Sequence, residues 1–257
     1  MSKLRNIHIS GINAVWDSDT PESIHTVAEK AMSMIIEFSK IDPIFQIFSY
    51  VPKSKPQTKF NLKETSKDKC IQILAECILD DKRGDIRHHE KDYKPDVNYS
   101  RDFGFSLLFN FKIGKKNVFS YTPRLGVKGR NSHSITYFQS GFEFEYKWFQ
   151  DIFQTMIYNS SPSPIYGKIG LSNMDFSKAI LKELKLNWTV QIGNYFSDEL
   201  NWLLDKIDTK KHQIEGLSGS FIYCADPDFM LNKESYDIEV EKLLSLNKGI
   251  AIEGNIK

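Results

Sequence analysis

His88-His89-Glu90-Lys91-Asp92 crowds five side chains able to bind metal or carry charge into consecutive positions. A zinc site needs ligands that converge, such as two histidines one helical turn apart. Adjacent side chains in a loop point apart, so this run reads as a solvated loop. Pro95-Asp96, followed by Glu145-Tyr146-Lys147, imitates the two elements with which metal-dependent nucleases hold a divalent ion and activate water. That chemistry needs the glutamate and lysine on a strand, whereas Glu145 lies in a helical pattern. The strand best placed to supply them ends Asn110-Phe111-Lys112, with no carboxylate at its first position. Cys224 and His212 can be drawn as nucleophile and base, but a strand cysteine is more often a core residue. Neither a glycine-x-serine-x-glycine elbow nor a phosphate-binding glycine loop is present. No catalytic residue, metal ligand or cofactor is assigned on these grounds.

Two charged groupings bear on binding. Lys112, Lys115, Lys116, Arg124, Lys128 and Arg130 follow one another with no acidic residue between them, and Phe119 and Tyr121 are interleaved. Basic and aromatic residues together suit nucleic acid, which makes the hairpin 112–130 the site of the alternative reading, a nucleic-acid-associated protein. The reading preferred is a solvated hairpin whose lysines discourage edge pairing, because 34 Lys+Arg against 33 Asp+Glu leave a formal charge of only +1. The last third carries Asp198, Glu199, Asp205, Asp208, Asp226, Asp228, Glu234, Asp237, Glu239 and Glu241, diluted by lysines. Most of these read as ordinary surface. Asp198, Glu199, Asp205, Asp226 and Asp228 are the candidates for a surface that mimics phosphate and plugs a basic cleft.

The elements that position these residues emerge from apolar spacing. Ile7, Ile9, Ile12, Ala14 and Trp16 mark a first strand, in which Gly11 suggests a bulge. An acidic turn, Asp17-Ser18-Asp19-Thr20, leads to a helix with Asp19 as expected N-cap and Glu22 three residues on. Its buried stripe is Ile24, Val27, Ala28, Ala31, Ile35 and Phe38, and Asp42-Pro43 stops it. Phe45, Ile47 and Tyr50 form a short extended piece. Pro52 to Lys59 is a basic linker, and a second helix runs from about Ser66 to Lys82 with Cys70, Ile71, Leu74, Cys77 and Ile78 inward. Arg83 to Ser100 reads as a long exposed loop. Phe103, Phe105, Leu107, Phe109, Phe111 and Ile113 alternate as one long strand, Gly114-Lys115-Lys116-Asn117 turns it back into Val118–Tyr121, and Ser134–Phe138 forms another strand. Glu143 to Tyr158 is helical, with Tyr146, Phe149, Phe153, Met156 and Ile157 inward. Trp188–Phe196 and Leu217–Cys224 read as strands, Phe176–Leu186 as a segment of uncertain type, and Ser235–Leu246 as a closing helix. The expected class is α+β, an antiparallel sheet packed against several helices. It forms a single domain over 1–257, with a subdivision near 159–165 as the alternative.

The totals fit an ordinary soluble globular protein. The chain has 257 residues, 40% hydrophobic and 26% charged, and its 18 Phe and 11 Tyr supply either an aromatic core or aromatic anchors. Met1–Asn6 lacks the apolar stretch of a secretory signal, and no apolar run approaches the ~18 residues of a membrane span. Cys70 and Cys77 stand two helical turns apart, about 10 Å by helical rise, too far for a disulfide. A cytoplasmic location without membrane contact is expected.

Trp16 at the end of the first strand, Glu22-Ser23 in the charged turn and Ile41-Asp42-Pro43 with Phe45 at the end of the helix occur in one order. After them come Trp188 and Tyr195-Phe196-Ser197, a glycine-bounded strand over Gly216–Cys224 and the closing helix. In that order the chain resembles the immunity protein 52 family of bacterial polymorphic toxin systems. The resemblance implies structural roles for Trp16, Glu22, Asp42, Pro43, Trp188 and Tyr195, no enzymatic activity and no cofactor. It implies one partner, a cognate toxin effector delivered between competing bacteria, typically a nuclease of restriction-endonuclease fold, neutralised by occlusion or distortion.

Overall fold

The apolar spacings become strands and helices in the computed structural model, which describes residues 8–52, 55–81, 105–138, 144–172, 190–198, 211–212 and 219–223. The class is α+β, with antiparallel strand pairing and three α-helices among the described residues. The chain divides into two compact units. Described residues of the larger fall within Asn13–Glu143 and Asp151–Pro164, and those of the smaller within Met1–Ile12, Phe144–Gln150 and Ile165–Lys257.

The main strands of the larger unit are β1 (His8–Ser18, of which the part from Asn13 on belongs to this unit), β2 (Ile47–Tyr50), β3 (Thr58–Asn61), β5 (Phe109–Ile113), β6 (Lys116–Tyr121) and β8 (Gly129–Tyr137). Their order in the sheet is β1-β8-β6-β5-β2-β3. Register aligns the aromatic residues in rows. Phe60, Phe48, Phe111, Phe119 and Tyr137 stand opposite one another in turn, and the next row is Thr58, Tyr50, Phe109, Tyr121 and Ile135. Directly opposed residues share a face, so these rows form one continuous aromatic surface. Phe48 lies on Phe60 at 5.1 Å between ring centroids and Phe109 on Tyr121 at 5.8 Å. Each fully buried ring contributes roughly 1.5–3 kcal/mol of transfer free energy, so these rows form the centre of the core.

Helix α1 (Ile24–Ile41) covers this surface with the expected stripe, and Met32 and Met34 are buried besides. Its Phe38 meets Tyr121 edge-on at 5.6 Å and Phe45 at 5.3 Å. The N-cap is Ser23 and not Asp19: the Ser23 hydroxyl accepts from the Thr26 N–H at 3.2 Å. Asp19 loses the cap because β1 continues to Ser18, and Glu22 is drawn into tertiary contacts instead of a capping box. Asp42 ends α1 and caps the next turn, accepting from the Ile44 N–H at 2.8 Å. Pro43–Gln46 is therefore a single 3-10 turn that carries Phe45 into the core, and the extended piece begins only at Ile47. Helix α2 (Lys67–Asp80), capped by Ser66, buries Cys70, Ile71, Leu74 and Ile78.

The long alternating strand is two strands. β4 (Phe105–Ser106) pairs with β7 (Arg124–Leu125), and β5 pairs with β2 and β6. Between them the Leu107 N–H donates to the Pro123 carbonyl and the Leu108 carbonyl accepts from Val51. Burial keeps its period of two straight through the break, so the alternation carried no sign of the change of partner. At the β5–β6 turn Gly114 adopts φ +60, as the expected hairpin requires. Gly11 lies within β1.

The smaller unit holds β9 (Tyr166–Ser172), β10 (Val190–Phe196), β11 (Lys211–His212) and β12 (Ser220–Tyr223). They join antiparallel in the order β11-β12-β10-β9. β9 is absent from the expectations because Gly167 and Gly170 thin its apolar signal. Helix α3 (Tyr146–Asn159) buries all five residues expected of it. The expected loop 83–100, the segment 176–186 and the helix 235–246 lie outside the described residues.

Candidate interaction surface

The side chains best suited to proton chemistry are locked inside the larger unit. His133 on β8 is 2% exposed, Tyr121 is fully buried, and the Tyr121 hydroxyl meets His133 Nδ1 at 2.6 Å. Trp16 packs on the imidazole at 4.8 Å between centroids. Burial, with the Lys30 charge as a second cause, pushes the His133 pKa down to about 3. Such an imidazole stays neutral at physiological pH and serves as a hydrogen-bonded core residue. Lys30 itself donates to Glu22 and, at 2.6 Å, to the Ser161 carbonyl. In the same unit, Asp81 is 2% exposed and accepts a long bond, 3.5 Å, from the Tyr50 hydroxyl. Burial first, and the Asp81 charge second, raise the Tyr50 pKa far above the ordinary phenol range. Neither pair opens to solvent, as a proton shuttle must.

The residues on which the resemblance rests take these places in the fold where they are described. Trp16 is a core residue on β1, Glu22 the carboxylate that holds Lys30, Asp42 a double cap, and Pro43 the first residue of the 3-10 turn. Tyr195 is fully buried on β10 against Phe221 at 5.0 Å, and burial aided by the Asp198 charge pushes its pKa up. Trp188 lies outside the described residues. Of the acidic candidates, Asp198 is exposed, and Glu199, Asp205, Asp226 and Asp228 lie outside the described residues.

The alternatives fare differently. His88–Asp92, Asp96 and Cys224 lie outside the described residues, as does the side chain of His212. Glu145 immediately precedes α3, outside the helix itself, and its carbonyl accepts from the Trp148 N–H, so it stands at the start of a helix and not on a strand. The basic residues are all exposed but do not form one patch. Lys112, Lys115 and Lys116 gather at the β5–β6 tip. Arg124, Lys128 and Arg130 lie at the other end of β6, about 17 Å away at the rise of a strand, and Arg130 reaches Asp17 at 3.7 Å. Phe119 and Tyr121 point into the core. Interleaving in sequence therefore became segregation on opposite faces, and the stacking platform of the nucleic-acid reading is not assembled from these two rings.

On the sheet face opposite the aromatic rows, exposed side chains collect at the β5–β6 tip end. Ser49, Asn110, Ser120 and Thr136 form one row by register, in which Ser49 and Ser120 are buried, Asn110 is half-buried and Thr136 is exposed. Beyond them, at the tip end, stand Ile47, Lys112 and Phe138, each next in sequence to a core-facing aromatic residue. Ile47 is 59% and Phe138 41% exposed. Sequence reasoning placed Ile47 in the extended piece and Phe138 at a strand end without asking which face they take. The adjacent Phe48 and Tyr137 were the signal, since neighbours on a strand face opposite ways. Among the described residues no helix is long and apolar enough to cross a membrane, and no group of three or more His, Cys, Asp or Glu is placed to hold a metal. No protein-family model and no curated protein matches the chain.

Proposed function

We propose that this chain is an immunity protein: it binds a cognate interbacterial toxin, a nuclease of restriction-endonuclease fold, and neutralises it by covering it, without chemistry of its own. One observation carries the reading. The titratable pairs brought together in the larger unit, His133 with Tyr121 and Tyr50 with Asp81, are sealed in the core as structural bonds, while the tip end of the sheet presents exposed apolar and charged side chains suited to a protein interface. The order of Trp16, Glu22-Ser23, Asp42-Pro43 and Tyr195 supports the family resemblance, and each described member has a fold-building role.

Occlusion requires a tight complex, with a few buried anchors inside a polar rim. The test is co-expression with the product of the neighbouring gene. Rescue of cells from that product, together with co-purification of the two proteins, is the expected result. Purified chain that turns over a substrate unaided, with the activity lost on removing one polar side chain, would overturn the reading.

A further inference from the structure

We infer that the outward face at the β5–β6 tip, with Ile47 and Phe138 as apolar anchors around Lys112, Lys115 and Lys116, is the docking surface for an acidic face of a protein partner. The inference rests on the reading of this chain as a protein-binding molecule and adds to it the surface and the sign of the charge.

Register brings the patch together. Phe48 opposes Phe111, and Phe119 opposes Tyr137. Ile47 precedes Phe48, Lys112 comes after Phe111 and Phe138 after Tyr137, so all three leave the sheet on the face turned away from the aromatic core. With neighbouring strands about 4.8 Å apart, the positions run from β2 to β8 over roughly 14 Å, the width of an interface core. Gly114 and Lys115 turn the hairpin beside them, and Lys115 and Lys116 extend the patch past the sheet end. Among the side chains whose burial is described, four large apolar ones are markedly exposed, and two of them are here. Isolated exposed apolar residues are commonplace, but a pair flanking three lysines on one rigid sheet end is the anchor-and-rim arrangement of a protein interface.

The charge is one-sided. No aspartate or glutamate occurs between Asp102 and Glu143, so β4 to β8 carry no carboxylate at all, and β2 and β3 carry none either. A protein face rich in Asp or Glu around apolar sockets complements this surface. Nucleic acid fits it less well, because the second basic cluster lies at the opposite end of β6 and the interleaved rings are buried, leaving no continuous track of cations and stacking faces.

The test uses the full chain and, as probe, the toxin encoded by the neighbouring gene, in an inactivated form. Three variants are compared with the parent: Lys115→Glu with Lys116→Glu, Ile47→Ser, and Lys128→Glu at the distant cluster as control. All change exposed positions, and circular dichroism with the thermal midpoint verifies folding. The expected result is a loss of affinity of about tenfold or more for the double charge reversal and for Ile47→Ser, with Lys128→Glu unchanged. Parent binding that survives both tip variants overturns the surface and leaves the proposed function standing. Failure of the parent itself to bind the probe overturns both. Tip variants that lose only a 20-nucleotide DNA, or only self-association in sedimentation, overturn the acidic-protein assignment in favour of nucleic acid or a second copy of the chain.

Discussion

His133 shows how one side chain sets a condition on the fold. Its imidazole is held neutral between Trp16 and Tyr121, with a pKa lowered to about 3. The unfolded chain, with an ordinary histidine pKa near 6.5, binds a proton that the folded chain refuses. The group's contribution is therefore fully present above about pH 6.5 and is lost as pH falls from there towards 3, at up to about 1.4 kcal/mol per pH unit. Urea unfolding at pH 7.5 and 5.0 should show this fall in the parent and a shallower one in His133→Gln, which has no such proton to take up. Equal slopes would show that the imidazole is solvated or charged in the fold. Trp16→Ala, which removes the ring on the other side of His133, should cost about 3–5 kcal/mol by cavity formation, read as a drop in the urea midpoint. A loss under about 1 kcal/mol would mean that Trp16 is not packed as described.

At the level of elements, two short signals do much of the positioning. Ser23 begins α1, and replacing it with Ala should cost about 1 kcal/mol by orphaning the Thr26 N–H. Asp19→Ala should leave the thermal midpoint nearly unchanged, the reverse of what the capping pattern in the sequence suggests. Gly114 turns the hairpin at φ +60 with nothing within 4 Å of an added Cβ. Gly114→Ala should therefore destabilise through backbone conformation alone, by about 1 kcal/mol, while leaving the strands that it joins intact by amide exchange. Apolar period revealed α1, α2 and α3 because a helix buries one face against whatever it meets. It could not reveal that Phe105–Ile113 serves two sets of partners, since a strand keeps its alternation when its neighbours change. The acidic turn after Trp16 was legible as a turn but not as a cap, because Glu22 is claimed by Lys30, a residue two helical turns further on.

For the molecule as a whole, the near-neutral total charge conceals a sheet from β2 to β8 whose only charged strand residues, outside β1, are basic. Local fields of this kind govern how fast partners meet and are screened over about 8–10 Å at moderate salt. Raising salt from about 50 to 300 mM should slow association of the parent with the proposed toxin partner several-fold and leave Lys115→Glu with Lys116→Glu much less affected, as measured by stopped flow. A rate independent of salt in the parent would remove the lysines from the encounter.

The amino-acid order was enough for the class of fold, the buried stripes of three helices and the hairpin at Gly114, because each depends on spacing within a dozen neighbouring residues. Which side of the sheet each residue faces was decided by pairing between distant strands. That pairing buried Phe119 and Tyr121, parted the six basic residues into two ends, and brought Ile47, from one hairpin, level with Lys112 and Phe138, from two others. Strand partners are chosen by burying the largest common apolar area, a sum over the whole sheet, and no local run of residues contains it.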